Sequence, residues 1–454
     1  MSVQMKAGFG RTDITPEYSV PLRGYGDTKG RMSTVNLDPL YATCVAVSDG
    51  KNIALFYHMD LTNMPNRSVE NCRKAISKKH GIPEELIYFT ATHNHSAPDD
   101  MCKLECIDRY LPEMEETTAL AADEAIADLE DAWLYAGKGK TDGLNFVRRY
   151  LLSDGTYGGD NFGDFKKNFI VEHESDVDNT MQVVRWKRAT KKDILMVNWQ
   201  AHPHRTGGFR KFDLSSDVIH YFRTTVERSS YLLAFYQGCA GNINTNSRIP
   251  AENMHRTPDY YADVNHDYKT HGKLLAKTCF EILPTLRQLK AGEIHSVTAE
   301  VQGKVNHDWD DRVPDAIKAR DLWEAGKSDE ARALARELGF NSIYHAQAVI
   351  TKKDLPEIMT IPVGGIAIGD FAFVGAPNEL YDTTGMYVKA TSPFEMTFVC
   401  GYTNGGTNYG GYLPTIKAFA HGGYGCDTCR FGAGIAENMA DTLIDCLVRL
   451  YQNK

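Results

Sequence analysis

The sequence predicts an α/β fold, with mixed β-sheets flanked by helices in one unit spanning residues 1–454. Three observations carry the prediction. Apolar strand-like runs alternate with amphipathic helical ones, two of those strands end in a His-x-His pair, and neither an internal repeat nor a low-complexity linker interrupts the chain. Ligands and metals collect at strand ends in α/β proteins, so the second observation ties the fold to chemistry.

Taken in order, residues 41–48 and 52–58 are apolar and β-rich and are joined by Asp49-Gly50, a hairpin signal. A helix is expected at about 67–79, stopped by Gly81-Ile82-Pro83 before the strand that begins at Leu86. A long amphipathic helix is expected from Pro112 to Leu134, with Ala and Glu at helical spacing, and Gly- and Asp-rich loops at 151–168. Strands return near 181–187, 193–199 and 231–237, and helices near 269–285 and 314–337. The second of these helices falls in a helical insertion at about 303–345 and shows no chemistry of its own. Strands 366–374 and 395–400, a glycine-dense loop from Gly401 to Gly425 and a helix at about 432–450 complete the pattern.

The first His strand runs Leu86-Ile87-Tyr88-Phe89 and reaches His93-Asn94-His95 before a small-residue turn and Pro98. Residues i and i+2 of a strand project from one face, so both imidazoles point into one space where the strand runs out. Imidazole is the commonest metal ligand, and a metal site at a cleft competes here with a pair of hydrogen-bonded or exposed histidines. The second cluster repeats the grammar: Ile194 to Trp199 is apolar, and His202-Pro203-His204 follows. Pro203 lacks an amide proton and breaks the ladder there. Each pair is expected to supply one ligand and one residue facing substrate or the ligand's neighbours.

Two carboxy-terminal segments add donors. Glu379 follows Pro377 at the end of an apolar run, where a carboxylate serves as a metal ligand or caps the next helix. The loop 404–415 carries Tyr409 and Tyr412 among glycines, which let a backbone approach a ligand closely. Its alternative is a surface loop with packed aromatics.

The net charge of −9, with no Lys/Arg-rich stripe to offset it, argues against nucleic acid or an anionic membrane as partner. No run approaches the ~18 apolar residues of a membrane span, and the start lacks an apolar signal core. Ten cysteines in 454 residues read as reduced thiols, Cys426 and Cys429 included, although they form a CxxC. The expectation is a cytoplasmic protein acting on a small molecule, without integral membrane association and with homo-oligomer formation left open.

Ordered motifs along nearly the whole chain resemble the neutral/alkaline (non-lysosomal) ceramidases. They are Gly8-x-Gly10-x-x-Asp13-Ile14-Thr15-Pro16, Asp38-Pro39-Leu40, Thr92-His93-x-His95-Ser96-x-Pro98, Asn198-Trp199-x-Ala201-His202-Pro203, Gln237-Gly238-x-x-Gly241, Pro377-x-Glu379 and Gly411-Tyr412-Leu413-Pro414-Thr415. The resemblance implies that family's catalytic-domain architecture and one zinc ion per chain. It puts the ligands on His93, His202, Glu379 and Tyr412, with Tyr409 a lower-ranked neighbour expected on the substrate side. It puts substrate contacts on Arg148 and Tyr424.

The departures shape the functional expectation. Where the ceramide-cleaving members carry an Asp and a Ser, this chain has Gly241-Asn242-Ile243-Asn244-Thr245, so both are Asn. The family's secretion signal and carboxy-terminal immunoglobulin-like domain are also expected to be absent. The expected activity is zinc-dependent hydrolysis of an amide or ester in a small polar substrate. His95 or His204 would move the proton, Asn244 would stand in the serine position and Asn242 would contact substrate. Two alternatives stay open: metal-assisted cleavage of a sugar or polyol derivative, in which Asn242 and Asn244 meet hydroxyls, and a non-catalytic ligand-binding protein.

Overall fold

Gly8 and Gly10 on the first strand set how closely the largest layers approach. A Cβ at either would lie 2.1 Å from a carbonyl oxygen of the helix above, Ala125 or Ala121. Only a missing side chain admits that helix. The computed structural model describes residues 4–24, 31–159, 162–165, 167–206, 211–245, 267–406 and 408–454.

Eight strands form the main sheet: β1 (Met5–Asp13), β2 (Tyr41–Ser48), β3 (Ile53–Met59), β4 (Ile87–Ala91), β5 (Glu130–Lys140), β6 (Thr180–Arg188), β7 (Asp193–Trp199) and β8 (Tyr231–Gln237). Their order is β8-β7-β6-β5-β1-β2-β3-β4, with Arg287–Gln288 added beside β5. The pairs β3·β4 and β7·β8 are parallel and the other neighbours antiparallel, so the sheet is mixed. A second sheet runs β9 (Ile294–Lys304), β10 (Ile358–Ile368), β11 (Phe371–Gly375) and β12 (Met396–Cys400) in that order.

The two sheets pack face to face. Phe373 of the second meets Phe56, Tyr88 and Tyr236 of the first at centroid distances of 5.3, 5.6 and 5.7 Å. Helices α1 (Asn66–His80), α2 (Glu105–Ala127), α3 (Val218–Glu227) and α4 (Tyr268–Ile282) cover the main sheet's outer face. A long carboxy-terminal helix, Ile435–Gln452, buries Met439, Leu443 and Leu447 against the second sheet. The predicted α/β class is what the structure has.

The main sheet curls until its edge strand β8 meets β3, the strand next to the opposite edge. Phe235 N–H on β8 donates to His58 Nδ1 on β3 at 3.0 Å, and the Tyr236 hydroxyl donates to Phe56 O at 3.0 Å. That curl brings the carboxyl ends of β4 and β7 together, although they are distant in strand order.

Several sequence expectations shift. The helix expected from Pro112 to Leu134 is α2, starting at Glu105 with Pro112 inside it, and residues from Glu130 belong to β5. The expected loop 151–168 contains short strands, Arg149–Leu152 and Tyr157–Gly159, sheeted with Ile170–His173; positions 160, 161 and 166 lie outside the described residues. The strand expected at 366–374 is a hairpin turned at Gly369, whose φ is +59°. The helix at 314–337 is two, α5 (Val313–Glu324) and α6 (Ser328–Glu337), and α7 (Ile343–Lys352) follows before β10. The helical segment between β9 and β10 thus occupies 305–357, against the 303–345 expected.

A fully buried ion network locks the end of β3. Asp60 pairs with Arg223 of α3 at 2.8 Å and with His58 at 2.9 Å, and its backbone oxygen accepts from Asn94, between the two histidines, at 2.9 Å. Burial alone would raise the Asp60 carboxyl, but Arg223 and then His58 hold it at about 2 against an ordinary 3.8. A depressed carboxylate contributes stability that is complete above 3.8 and is lost as pH falls from there through 2, a drop of ~2 kcal/mol for this group. Asp60→Asn leaves Arg223 buried without its counter-charge and should cost ~3–5 kcal/mol at pH 7. Guanidinium melts at pH 7 and pH 3 check both statements, since the variant should lose this part of the acid sensitivity.

Candidate metal centre

Three side chains from three distant segments meet below the curl. His93, just past β4, places Nε2 3.3 Å from Glu379 Oε2, and His202, just past β7, places its Nε2 at the same 3.3 Å. His95 Nε2 lies 3.4 Å from His93 Nε2, and donor atoms of the three histidines all fall within 4.8 Å of one another. Ligands at ~2.0–2.1 Å around tetrahedral zinc stand ~3.3–3.4 Å apart, so these separations are those of an ion's coordination edges.

Tautomers sharpen the point. His93 Nδ1 contacts Thr62 O and His202 Nδ1 contacts Ile243 O, each at 2.9 Å. A carbonyl oxygen only accepts, so each Nδ1 carries the proton and each Nε2 presents a lone pair. Burial and the nearby Arg148 hold His202 down at about 3, so it is neutral at pH 7. Burial would raise the Glu379 carboxyl, and only a proton on a facing imidazole brings it below its ordinary range, a positive charge that a bound cation would supply instead. Two imidazole lone pairs and a carboxylate therefore converge, all acceptors. The donors near them, Arg148 on His202 Nε2 and the Tyr402 hydroxyl on Glu379, stand at 3.4 and 3.5 Å. Such a donor set fits a divalent cation.

Distant contacts hold these residues. The Gln237 amide at the end of β8 donates to Thr92 O and Ala201 O, each at 2.8 Å, and so ties the two histidine segments together. Glu379–Leu380 pairs in parallel with Tyr412–Leu413, setting Glu379 beside Tyr412. Gly241 admits that segment, since a Cβ there would lie 2.5 Å from Glu379 O. His93 and Tyr402 both adopt left-handed backbone, φ +61° and +53°, and their rings stack at 4.1 Å. Non-glycine residues hold that conformation only where surrounding structure imposes it, which is common at ligand sites.

Arg148 organises the second layer. Its Nη2 donates to the Tyr412 hydroxyl and to Gly241 O, both at 2.9 Å, and its Nη1 donates to Asn244 Oδ1 at 3.3 Å. Asn244 bridges to His202 in parallel. Tyr412 stands on the far side of that guanidinium, its ring 6.5 Å from His202, and burial raises its phenol well above the ordinary value. His204 is half-buried, its ring 5.9 Å from His95. Tyr424 packs edge-on to Tyr412 at 5.7 Å and shares a small pocket with Arg148.

Two expected substrate contacts lie elsewhere or are engaged. Asn242 is 3 % exposed and held by Asp382, donating to its Oδ1 at 2.8 Å and accepting from its backbone N–H at 2.9 Å, and it also lines the small pocket beside Arg148. Tyr409 lines a different groove with Arg73, Tyr88 and Glu300. Sequence reasoning missed Tyr402 and gave Gln237 no role. Tyr402 follows Gly401 directly after β12, so its signal was the strand-end position already used for the histidines.

Among the described residues no disulfide joins any of the ten cysteines, and burial raises Cys426 and Cys429 to about 12. Among the described residues no helix is long and apolar enough to cross a membrane.

No protein-family model and no curated protein matches the chain. Solved structures do. The neutral ceramidase from Pseudomonas aeruginosa aligns with a TM-score of 0.72 at 17 % identity, covering 100 % of this chain and 75 % of that one. A ceramidase complexed with C2 aligns with a TM-score of 0.71 at 17 % identity, covering 99 % and 76 %. At that identity the likeness is one of fold, and the neutral ceramidase fold is the one this chain adopts.

Proposed function

We propose that the protein is a zinc-dependent hydrolase of an amide or ester bond in a small, polar substrate. The observation that carries this reading is the convergence of His93 Nε2 and His202 Nε2 on Glu379 Oε2, each 3.3 Å from it, with both imidazole protons turned away. Tyr412 would complete the set. When bound, zinc supplies Lewis acidity toward a carbonyl and toward water. Arg148 sets a buried positive charge beside His202 and holds the Tyr412 hydroxyl, so charge developing on a carbonyl oxygen meets a preorganised donor. Asn244 steadies that guanidinium. His95 would carry a proton between water and leaving group, and half-buried His204 would pass it to solvent.

The fold shared with ceramidases supports hydrolysis. The sugar or polyol reading, in which Asn242 and Asn244 meet hydroxyls, has less support, because these side chains already bind Asp382 and Arg148. An acidic chain with a Gly-, Thr- and Asn-rich loop beside the centre is ill suited to taking lipid from a bilayer, so long-chain ceramide is not the proposed substrate. Zinc-loaded protein should release carboxylate from members of a panel of short N-acyl compounds and esters, lose that activity with a chelator and regain it with zinc. Sphingosine release from ceramide micelles at ordinary turnover, ~1–10³ s⁻¹, would overturn the substrate class.

A further inference from the structure

The helical insertion docks on one short segment, and that segment carries Tyr424. Asn341 donates to Asp427 Oδ1 at 2.7 Å, Lys352 Nζ donates to Cys429 O at 3.4 Å, and Asn306 N–H donates to Arg430 O at 2.8 Å. Val305 bridges to Phe431 at the insertion's foot. Tyr344, from α7, packs edge-on to Tyr424 at 5.5 Å and 86°. It is backed by Trp323 of α5 at 5.9 Å and by the Arg332 guanidinium of α6 at 5.8 Å. Tyr424 in turn meets Tyr412 at 5.7 Å and 70°. A line of three tyrosines thus runs from the insertion's own core to the edge of the proposed metal centre.

At its inner end lies a cavity of about 20 Å³ walled by Arg148, Phe162, Tyr381, Tyr412 and Tyr424. Gly425 lets this wall close, since a Cβ there would stand 2.4 Å from the Tyr381 hydroxyl. A water needs ~10–15 Å³, so the space between these side chains is the size of a methyl or formyl group.

We infer that the insertion is the specificity wall of this site: through Tyr344 it fixes Tyr424 against Tyr412 and restricts the pocket beside Arg148 to a short acyl group, formyl or acetyl. Tyr344 is a positioning residue, acting through Tyr424. The inference rests on the metal-centre reading, and the test separates the two. Cobalt(II)-loaded protein is titrated with acetohydroxamate and octanohydroxamate, following the visible absorption of the metal. Wild type should prefer acetohydroxamate. Tyr344→Ala should move the affinity ratio at least ~10-fold toward octanohydroxamate with cobalt stoichiometry unchanged, and Tyr344→Phe should restore the wild-type ratio. Asn341→Ala cuts a tether at the surface and should move the ratio the same way by a smaller factor, which keeps the test usable if Tyr344→Ala does not fold. Cobalt bound with the ratio unmoved in the folded variants overturns the inference alone. Failure to bind cobalt removes the metal reading and this inference with it.

Discussion

Replacing Glu379 by glutamine should lower zinc affinity by at least ~10²-fold while leaving the metal-free protein as stable as wild type or more so. The first half follows from removing one of three converging donors. The second follows from what those donors do without a cation. Glu379 Oε2 faces two imidazole nitrogens at 3.3 Å whose protons are on the opposite side of each ring. A glutamine amide at that place can donate to one of them, a hydrogen bond worth ~0.5–1.5 kcal/mol net in place of opposed lone pairs. Metal analysis and thermal melts with and without chelator check the two halves. A carboxylate that merely stabilised the fold would give the opposite result, with metal-free Glu379→Gln melting lower than wild type.

Gln237→Ala should cost ~3 kcal/mol of stability and reduce metal affinity by ~10–100-fold, although Gln237 touches none of the proposed ligands. The residue is fully buried, and its amide is the donor for both Thr92 O and Ala201 O at 2.8 Å. Those carbonyls precede His93 and sit beside His202, so without the amide the two arms of the site lose their common anchor. Gln237→Glu should be little better, since an ionised carboxylate cannot donate to either carbonyl. Denaturant unfolding gives the stability term and competition with a chelating dye gives the affinity. Unchanged affinity in a folded Gln237→Ala variant would show that the curl of the sheet alone aligns the histidines.

The separate arms were legible in the sequence because their signal is local. A strand followed by two histidines one residue apart marks each arm locally, as Asp49-Gly50 marks the β2–β3 hairpin. The strand ends at Ala91, however, and His93 turns to φ +61°, so the common space of the pair is set by the surrounding fold and not by strand alternation. How the arms meet was not legible, because it depends on β8 closing on β3, residues 177 apart at Phe235 and His58. Asn242 shows the same limit: its identity suggested a substrate contact, while its partner Asp382 lies 140 residues on. The choice between Tyr412 and Tyr409 is a matter of register. Parallel pairing of Glu379–Leu380 with Tyr412–Leu413 sets Tyr412 beside Glu379 and within reach of Arg148, and leaves Tyr409 in another groove. The helix expected from Pro112 already runs from Glu105 in α2, because burial of its apolar face at Ile107 and Tyr110 extends it across the proline.

The central claim is that His93, His202 and Glu379 hold one zinc ion. X-ray absorption at the zinc edge, on protein purified without chelator, tests it most directly. The expected result is close to one zinc per chain, with two imidazole nitrogens and carboxylate oxygen at ~2.0–2.2 Å. Substoichiometric metal that zinc addition does not restore, or zinc bound through sulfur at ~2.3 Å, would contradict the account.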